Sequence, residues 1–312
     1  MSQDQIIKET QCIFQQPWWL EAVAPGSWDE VKLINKGKTQ ARLPYIKQKK
    51  IGLTLLMMPP FTQVLGPWLE PLQGKYATRL SRQKQMMTDL IEQLPRFDYF
   101  KQNFHYSFDN WLPFYWKDFE QTTRYTYVLD DISDMDAVWS GIKGNIRREI
   151  RKARKQITVE TDLGVEKLWN MHLKTFERQN ETPDFSFETF KRLDDACKKH
   201  DARKAFFAID EDGHMHAALY IVWDENSAYY LVGGADPKLR NSGASSLLMW
   251  EAINYVSERT QKFDFEGSMI ESIERFFRGF GARQKPYFRI TKMSKKMQLL
   301  MNTRDMFKTL IK

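Results

Sequence analysis

Two carboxylates stand two residues apart in the stretch FDFEG: Asp264 and Glu266. On an extended strand both project from one face, and Phe263 and Phe265 project from the other. A carboxylate held beside an activated acyl carbonyl can take the proton that an amine loses as an amide bond forms. That chemistry requires no covalent nucleophile, and the sequence offers no clear one. Cys12 lies in an N-terminal stretch and Cys197 in a lysine-rich segment, both better suited to structural roles. The plain alternative for Asp264 is a cap or ion pair at a strand end. Gly267 follows at once, and RGFGA then brings Gly279 and Gly281. Turns of that density place backbone close to something, either protein or ligand.

A second segment could hold the activated group. LRNSGASS, Leu239–Ser246, lies between an apolar strand pattern and an apolar helix pattern, with Asn241 or Ser242 as helix cap. The first amides of a helix lack partners and sit at the positive end of its dipole, so a pyrophosphate fits there. Arg240 adds a charge, and Ser242, Gly243, Ala244 and Ser245 are small. The alternative is an ordinary, well-capped connection.

The third segment is basic. GIKGNIRREIRKARKQ, residues 141–156, holds seven Lys or Arg against one Glu, so nearly all of the chain's net charge of +7 sits there. Ile142, Ile146, Ile150, Ala153 and Ile157 form one apolar stripe at helical spacing, leaving the cations on the other faces. Arg147, Arg148, Arg151 and Lys152 are the candidates to contact phosphates of a nucleotide, a nucleic acid or an anionic surface. A solvated charged face explains the same run. A single-strand nucleic-acid platform is disfavoured, because no aromatic residues interleave the charges.

Elements to position these groups read out in two similar series. Helix FQQPWWLEAVA, strands WDEVKLIN, TQARLPYIKQK and IGLTLLMM, a turn-rich loop, helix 75–94 and strand FDYFKQNF make the first. Helix FSFETFKRLDDACKKH, strands ARKAFFAID, HMHAALYIVW and SAYYLVGG, the loop ADPKLRNSG, helix ASSLLMWEAINYVSER and strand KFDFEG make the second. Both run α-β-β-β-loop-α-β. The fold class expected is α/β (α+β): two domains, each a mixed, mostly antiparallel sheet flanked by helices. The boundaries expected are 1–120, 121–292, and an amphipathic C-terminal helix over 293–312. The first-half loop PPFTQVLGPW would form a wall for the acceptor, with Thr62 and Gln63 as its polar contacts, unless it is simply a packed loop.

Arg240-x-x-Gly243-x-Ser245 resembles the acyl-CoA loop of the GNAT acyltransferases, R/Q-x-x-G-x-G/A, with Ser245 in the last small position. FDFEGS…IERFFRGFGA…PYF resembles the signature of the FemABX-type branch of that superfamily, and the basic helix resembles the segment that opens its second domain. The signature covers about 25 residues, and the element order extends the likeness to most of the chain. The resemblance implies tandem GNAT-like domains that transfer an acyl or aminoacyl group to a primary amine of a cell-envelope sugar or peptide precursor. It implies acyl-CoA or aminoacyl-tRNA as donor and no metal. It also implies that the strand before the phosphate loop parts from its neighbour. Val232 and Gly233 would then face the donor, Gly233-Gly234 would permit a bulge, and Tyr230 would lie beside the substrate. Arg278 would face a phosphate. Glu266 or Asp264 would assist proton removal. A non-catalytic module that holds RNA or an acidic partner through the basic helix is the alternative.

The rest bounds the setting. Hydrophobic residues make up 42% and aromatics 14%, enough for sizeable cores and against a disordered chain. Two cysteines exclude a disulfide framework and fit a reducing compartment. His214 and His216 alternate without further ligands nearby, so no metal site is expected. No signal peptide is expected from MSQDQIIKETQCIF, and IGLTLLMMPPF is too short to span a bilayer. A cytoplasmic protein is expected. Its tail, with Leu299, Leu300, Met306, Phe307, Leu310 and Ile311, would dock on the body or lie on the membrane's inner face.

Overall fold

The computed structural model describes residues 6–8, 10–179, 182–183, 185–267 and 269–301. The chain divides into two compact units, Met1–Arg124 with Pro286–Lys312, and Tyr125–Lys285. The sequence reading gave everything from 121 to 292 to the second unit. The difference lies in the last long strand, which from Pro286 onward belongs to the first unit.

The first unit opens with α1, Pro17–Val23, whose Pro17 occupies the helix position where an N–H would go unpaired anyway. Strands β1, Trp28–Asn35, and β2, Lys38–Lys50, form an antiparallel hairpin about Lys36-Gly37. Next come β3, Leu53–Met57; β4, Trp68–Leu69; α2, Tyr76–Gln93; β5, Tyr99–Asn103; and the short α3, Leu112–Tyr115. β2 pairs antiparallel with both β3 and β4, and β3 runs parallel to β5. Leu43, Leu56, Phe100, Phe104 and Phe114 fill the core beneath α2, which contributes Met86, Met87 and Leu90.

Strand β6, Glu120–Leu129, carries the chain into the second unit. Asp134 caps α4, Met135–Gly141, by accepting the N–H groups of Asp136 and Ala137. The basic helix α5 spans Gly144–Ala153. β7, Thr158–Thr161, α6, Val165–Gln179, and α7, Phe187–Lys199, follow. Then come β8, Arg203–Ile209; β9, Met215–Trp223; β10, Ser227–Ala235; α8, Ala244–Val256; β11, Lys262–Asp264; and α9, Glu271–Gly279. The strand order here is β6-β11-β10-β9-β8-β7, antiparallel except for β10 and β11. The five-residue stripe read from the sequence is wholly buried, at 0–7% exposure. It packs with α8 on one face of the sheet. α7 covers the other face, where Asp194 accepts the Tyr220 hydroxyl at 3.0 Å.

The chain returns to the first unit through β12, Arg283–Met293, antiparallel to β5 from Arg289 to Met293. Each unit thus contains three successive antiparallel strands, a parallel neighbour, and an antiparallel strand beyond it. A final helix, α10, Lys295–Met301, buries Met297 against Leu53, Leu55 and Tyr99. The remainder of the expected C-terminal helix, with Met306, Phe307, Leu310 and Ile311, lies outside the described residues. Among the described residues no helix is long and apolar enough to cross a membrane.

Candidate active site

β10 pairs with β9 as far as Ala235, but with β11 only from Ser227 to Tyr229. Past Tyr229 no strand among the described residues pairs with its β11-side edge. The register against β9 slips between Tyr230 and Val232, so Leu231 is the extra residue. This corrects the expected bulge at Gly233-Gly234. Both glycines sit in regular register, and a side chain at Gly234 would collide with the Met171 carbonyl of α6. Gly234 serves close approach of a helix, whereas a side chain at Gly233 would collide with the Tyr230 ring.

A cavity of about 560 Å³ opens where the strands part. Tyr230, Val232 and Gly233 line it, and Ser245 does so from the start of α8. Leu248 and Met249 add apolar surface from α8, Ile273 and Phe277 from α9. Such a slot suits a slender, mostly apolar chain with amide groups that can bond to backbone.

At the loop, Arg240–Ser242 form a 3-10 turn and Gly243 caps α8 with φ at 81°. A Cβ on Gly243 would lie 2.6 Å from the Glu149 carbonyl oxygen. Glycine is therefore required here by both backbone shape and space. Ser242 is buried, and its Oγ accepts the Ala244 N–H at 3.3 Å. Arg240, Asn241 and Ser245 are exposed. The basic helix holds this loop from behind. Lys152 Nζ donates to the Asn241 carbonyl at 2.9 Å, and Glu149 accepts the Ser246 hydroxyl at 2.7 Å. Arg151 lies over the Trp139 ring, 5.7 Å from its centroid. Two of the four proposed phosphate contacts thus touch protein, while Arg148 is exposed and Arg147 half-buried.

The carboxylate pair departs from the expected geometry. β11 ends at Asp264, and Glu266 turns into the left-handed region at φ 58°, so strand alternation does not reach it. Asp264 is 3% exposed. Its Oδ1 accepts the Thr126 hydroxyl and, at 2.8 Å, the Glu266 N–H. Burial pushes its pKa up to about 6, against these two bonds. Glu266 is half-buried by surface exposure. Its enclosed carboxyl is pushed well above the ordinary range, first by burial and then by the Asp264 charge, which disfavours its ionised form. Burial first, and then the ionised form of Glu266, push the Tyr230 hydroxyl up to about 12, which links Glu266 to the cavity wall.

The answer to the dense turns is protein, not ligand. Gly267, at φ 61°, passes so close to the Tyr125 carbonyl and Thr126 that no side chain fits. Arg278, the expected phosphate contact, is paired with Glu274 at 2.6 Å, and Glu274 also accepts the Tyr127 hydroxyl at 2.8 Å. Thr62 and Gln63 belong to the first unit. Thr62 Oγ1 accepts the Trp19 indole N–H at 3.0 Å and donates to the Pro60 carbonyl at 3.1 Å. The Gln63 carbonyl accepts from Asn103 at 3.0 Å. The loop is thus stitched to its own unit.

The sequence reading did not single out His172. This α6 residue lines the cavity, is 9% exposed, and has Nδ1 3.0 Å from the Gly233 carbonyl oxygen. Burial lowers its pKa, with the Gly233 bond opposing. Nothing in LWNMHLKTF marks it, because its partner lies 61 residues further on.

Residues 140–277 match the family model described as an acetyltransferase (GNAT) domain. No curated protein matches the sequence. Among solved structures, FemX is similar over 92% of this chain and 94% of its own, at TM-score 0.64 and 13% identity. The C-terminal domain (DUF2156) of a putative lysylphosphatidylglycerol synthetase from Agrobacterium fabrum is similar over 91% and 89%, at TM-score 0.57 and 12% identity. L-PGS from Bacillus licheniformis is similar over 92% and 90%, at TM-score 0.54 and 10% identity. Together with the parted strand and the glycine-capped helix, these matches show a GNAT domain over residues 140–277 and a fold like that of FemX over most of the chain.

Proposed function

We propose that this protein is an N-acyltransferase that takes an acyl group from a coenzyme A thioester and passes it to a primary amine. The observation that carries the reading is the parting of β10 from β11 after Tyr229, beside the start of α8 and above an apolar cavity. The unpaired edge of β10 offers backbone groups to the amides of a pantetheine arm, as an added strand would. The α8 start and the exposed Arg240 offer amide hydrogens and charge to a pyrophosphate. A thioester supplies an acyl carbon already activated for attack. The acceptor is a cell-envelope precursor; the similarity to FemX and to a putative lysylphosphatidylglycerol synthetase supports that assignment.

Aminoacyl-tRNA is the second donor, favoured by the cations Arg147 and Arg148, for which the fold supplies no evident partner. Thermal melting separates the two. Acetyl-CoA at 100 times its Kd stabilises the native state by about 2.7 kcal/mol, and the melting temperature rises. If only tRNA raises it, with a steep fall in added salt, the thioester reading is wrong. Transfer from charged tRNA then decides between the aminoacyl route and a non-catalytic RNA module.

A further inference from the structure

The proton that an attacking amine gives up finds no ready acceptor in the carboxylate pair. Asp264 is buried and its Oδ1 already accepts two hydrogen bonds, while Glu266 turns out of the strand at φ 58° and so does not share the Asp264 face. The α6 side of the cavity is arranged differently. A carbonyl oxygen can only accept, so the contact between His172 Nδ1 and the Gly233 oxygen fixes the ring hydrogen on Nδ1. In the neutral ring, which burial favours, Nε2 is then the bare nitrogen. It is buried and has no hydrogen-bond partner among the described residues. Buried polar atoms in folded proteins are rarely left so, and a ligand yet to bind is one physical reason for an exception. The rings around His172 carry no charge: Phe176 at 4.9 Å, Phe185 at 5.7 Å and Trp169 at 5.8 Å between centroids. Burial among them favours the neutral imidazole.

We infer that His172 is the catalytic base of this site, its Nε2 taking the proton of the acceptor amine as the amide bond forms. The inference rests on the thioester reading above. The amine lone pair makes the C–N bond, and the C–S bond breaks with its electron pair leaving on sulfur. The proton passes from nitrogen to Nε2 and from the resulting imidazolium to the thiolate, so the ring returns to its starting state.

His172→Asn tests this. Asparagine can keep an N–H facing the Gly233 carbonyl but has no counterpart of Nε2. With acetyl-CoA as donor and glucosamine as the probe amine, the acetyl-CoA Kd should stay within about twofold while thiol release slows about 10²- to 10⁴-fold. In protein labelled with 15N-histidine, the signal missing from the variant should report hydrogen on Nδ1 and a bare Nε2. The Nε2 resonance should move when acetyl-CoA is added. A variant that releases thiol at the full rate overturns the assignment. So does hydrogen found on Nε2 in the free protein, or an Nε2 resonance unmoved by acetyl-CoA that calorimetry shows to be bound. If acetyl-CoA does not bind the unaltered protein, the thioester reading falls first and this one with it.

Discussion

The carboxylate of Asp264 accepts the backbone N–H of Glu266 at 2.8 Å, and Glu266 sits at φ 58°. A non-glycine residue in that region is disfavoured unless its surroundings hold it. Here the holding group is a buried acid one peptide away from Phe265, itself packed in the core. The pair is thus a device for shaping the chain at the end of β11.

This arrangement has a pH signature. The Asp264 pKa is raised from 3.8 to about 6 by burial. The native state therefore binds the proton more tightly than the unfolded chain. Stability from this group is present below pH 4 and is lost as pH rises through 6, by roughly 3 kcal/mol. Asp264→Asn keeps an oxygen acceptor and removes the charge. The difference in melting temperature between the variant and the unaltered protein should grow from pH 4.5 to 7.5, in the variant's favour.

Gly243→Ala meets two obstacles, a φ of 81° and the Glu149 carbonyl oxygen 2.6 Å from the new Cβ. Thermal melting should drop by several degrees, consistent with a cost of about 1–3 kcal/mol. Acetyl-CoA affinity, read by calorimetry, should fall tenfold or more because the α8 start must move.

Ser245 is exposed and lines the cavity. Ser245→Ala should leave the acetyl-CoA Kd within about twofold, since the serine hydroxyl makes no essential bond in a site built on backbone amides. Ser245→Tyr should raise that Kd at least tenfold by filling the approach. Equal affinities for the two variants would place the donor elsewhere.

Thr62→Val leaves the buried Trp19 indole N–H without its acceptor, a loss of about 1–3 kcal/mol. Urea denaturation should show it. Donor affinity should not change, since the threonine hydroxyl is committed to its own unit.

Much of this was legible in the residues. The isoleucine stripe of α5, the three hydrophobic strands of each unit and the loop before α8 follow from local periodicity and turn chemistry, which need no knowledge of the partner surface. The site itself was legible only in part. Gly243 and Ser245 announce themselves, because helix-start chemistry is local. Glu266 misleads, because alternation assumes a strand that here stops two residues earlier. Gly233 and Gly234 read as a bulge, yet Leu231 is the extra residue. Gly234 answers instead to α6, a contact that no window of sequence contains, and Gly233 to the Tyr230 ring. His172 was silent for the same reason: its tautomer is set by a carbonyl from another element.

The return of the chain through β12 has a consequence for synthesis. Ribosomes deliver the polypeptide from its N-terminus, so the first 124 residues emerge without the strand that must pair with Tyr99–Asn103, and without Met297 to seal Leu53 and Leu55. The inserted unit is complete some residues earlier and can settle first. Nascent chains stalled near residue 285 should therefore carry a protease-resistant middle behind a still-digestible beginning, and only the last thirty residues convert the start of the protein into a folded body.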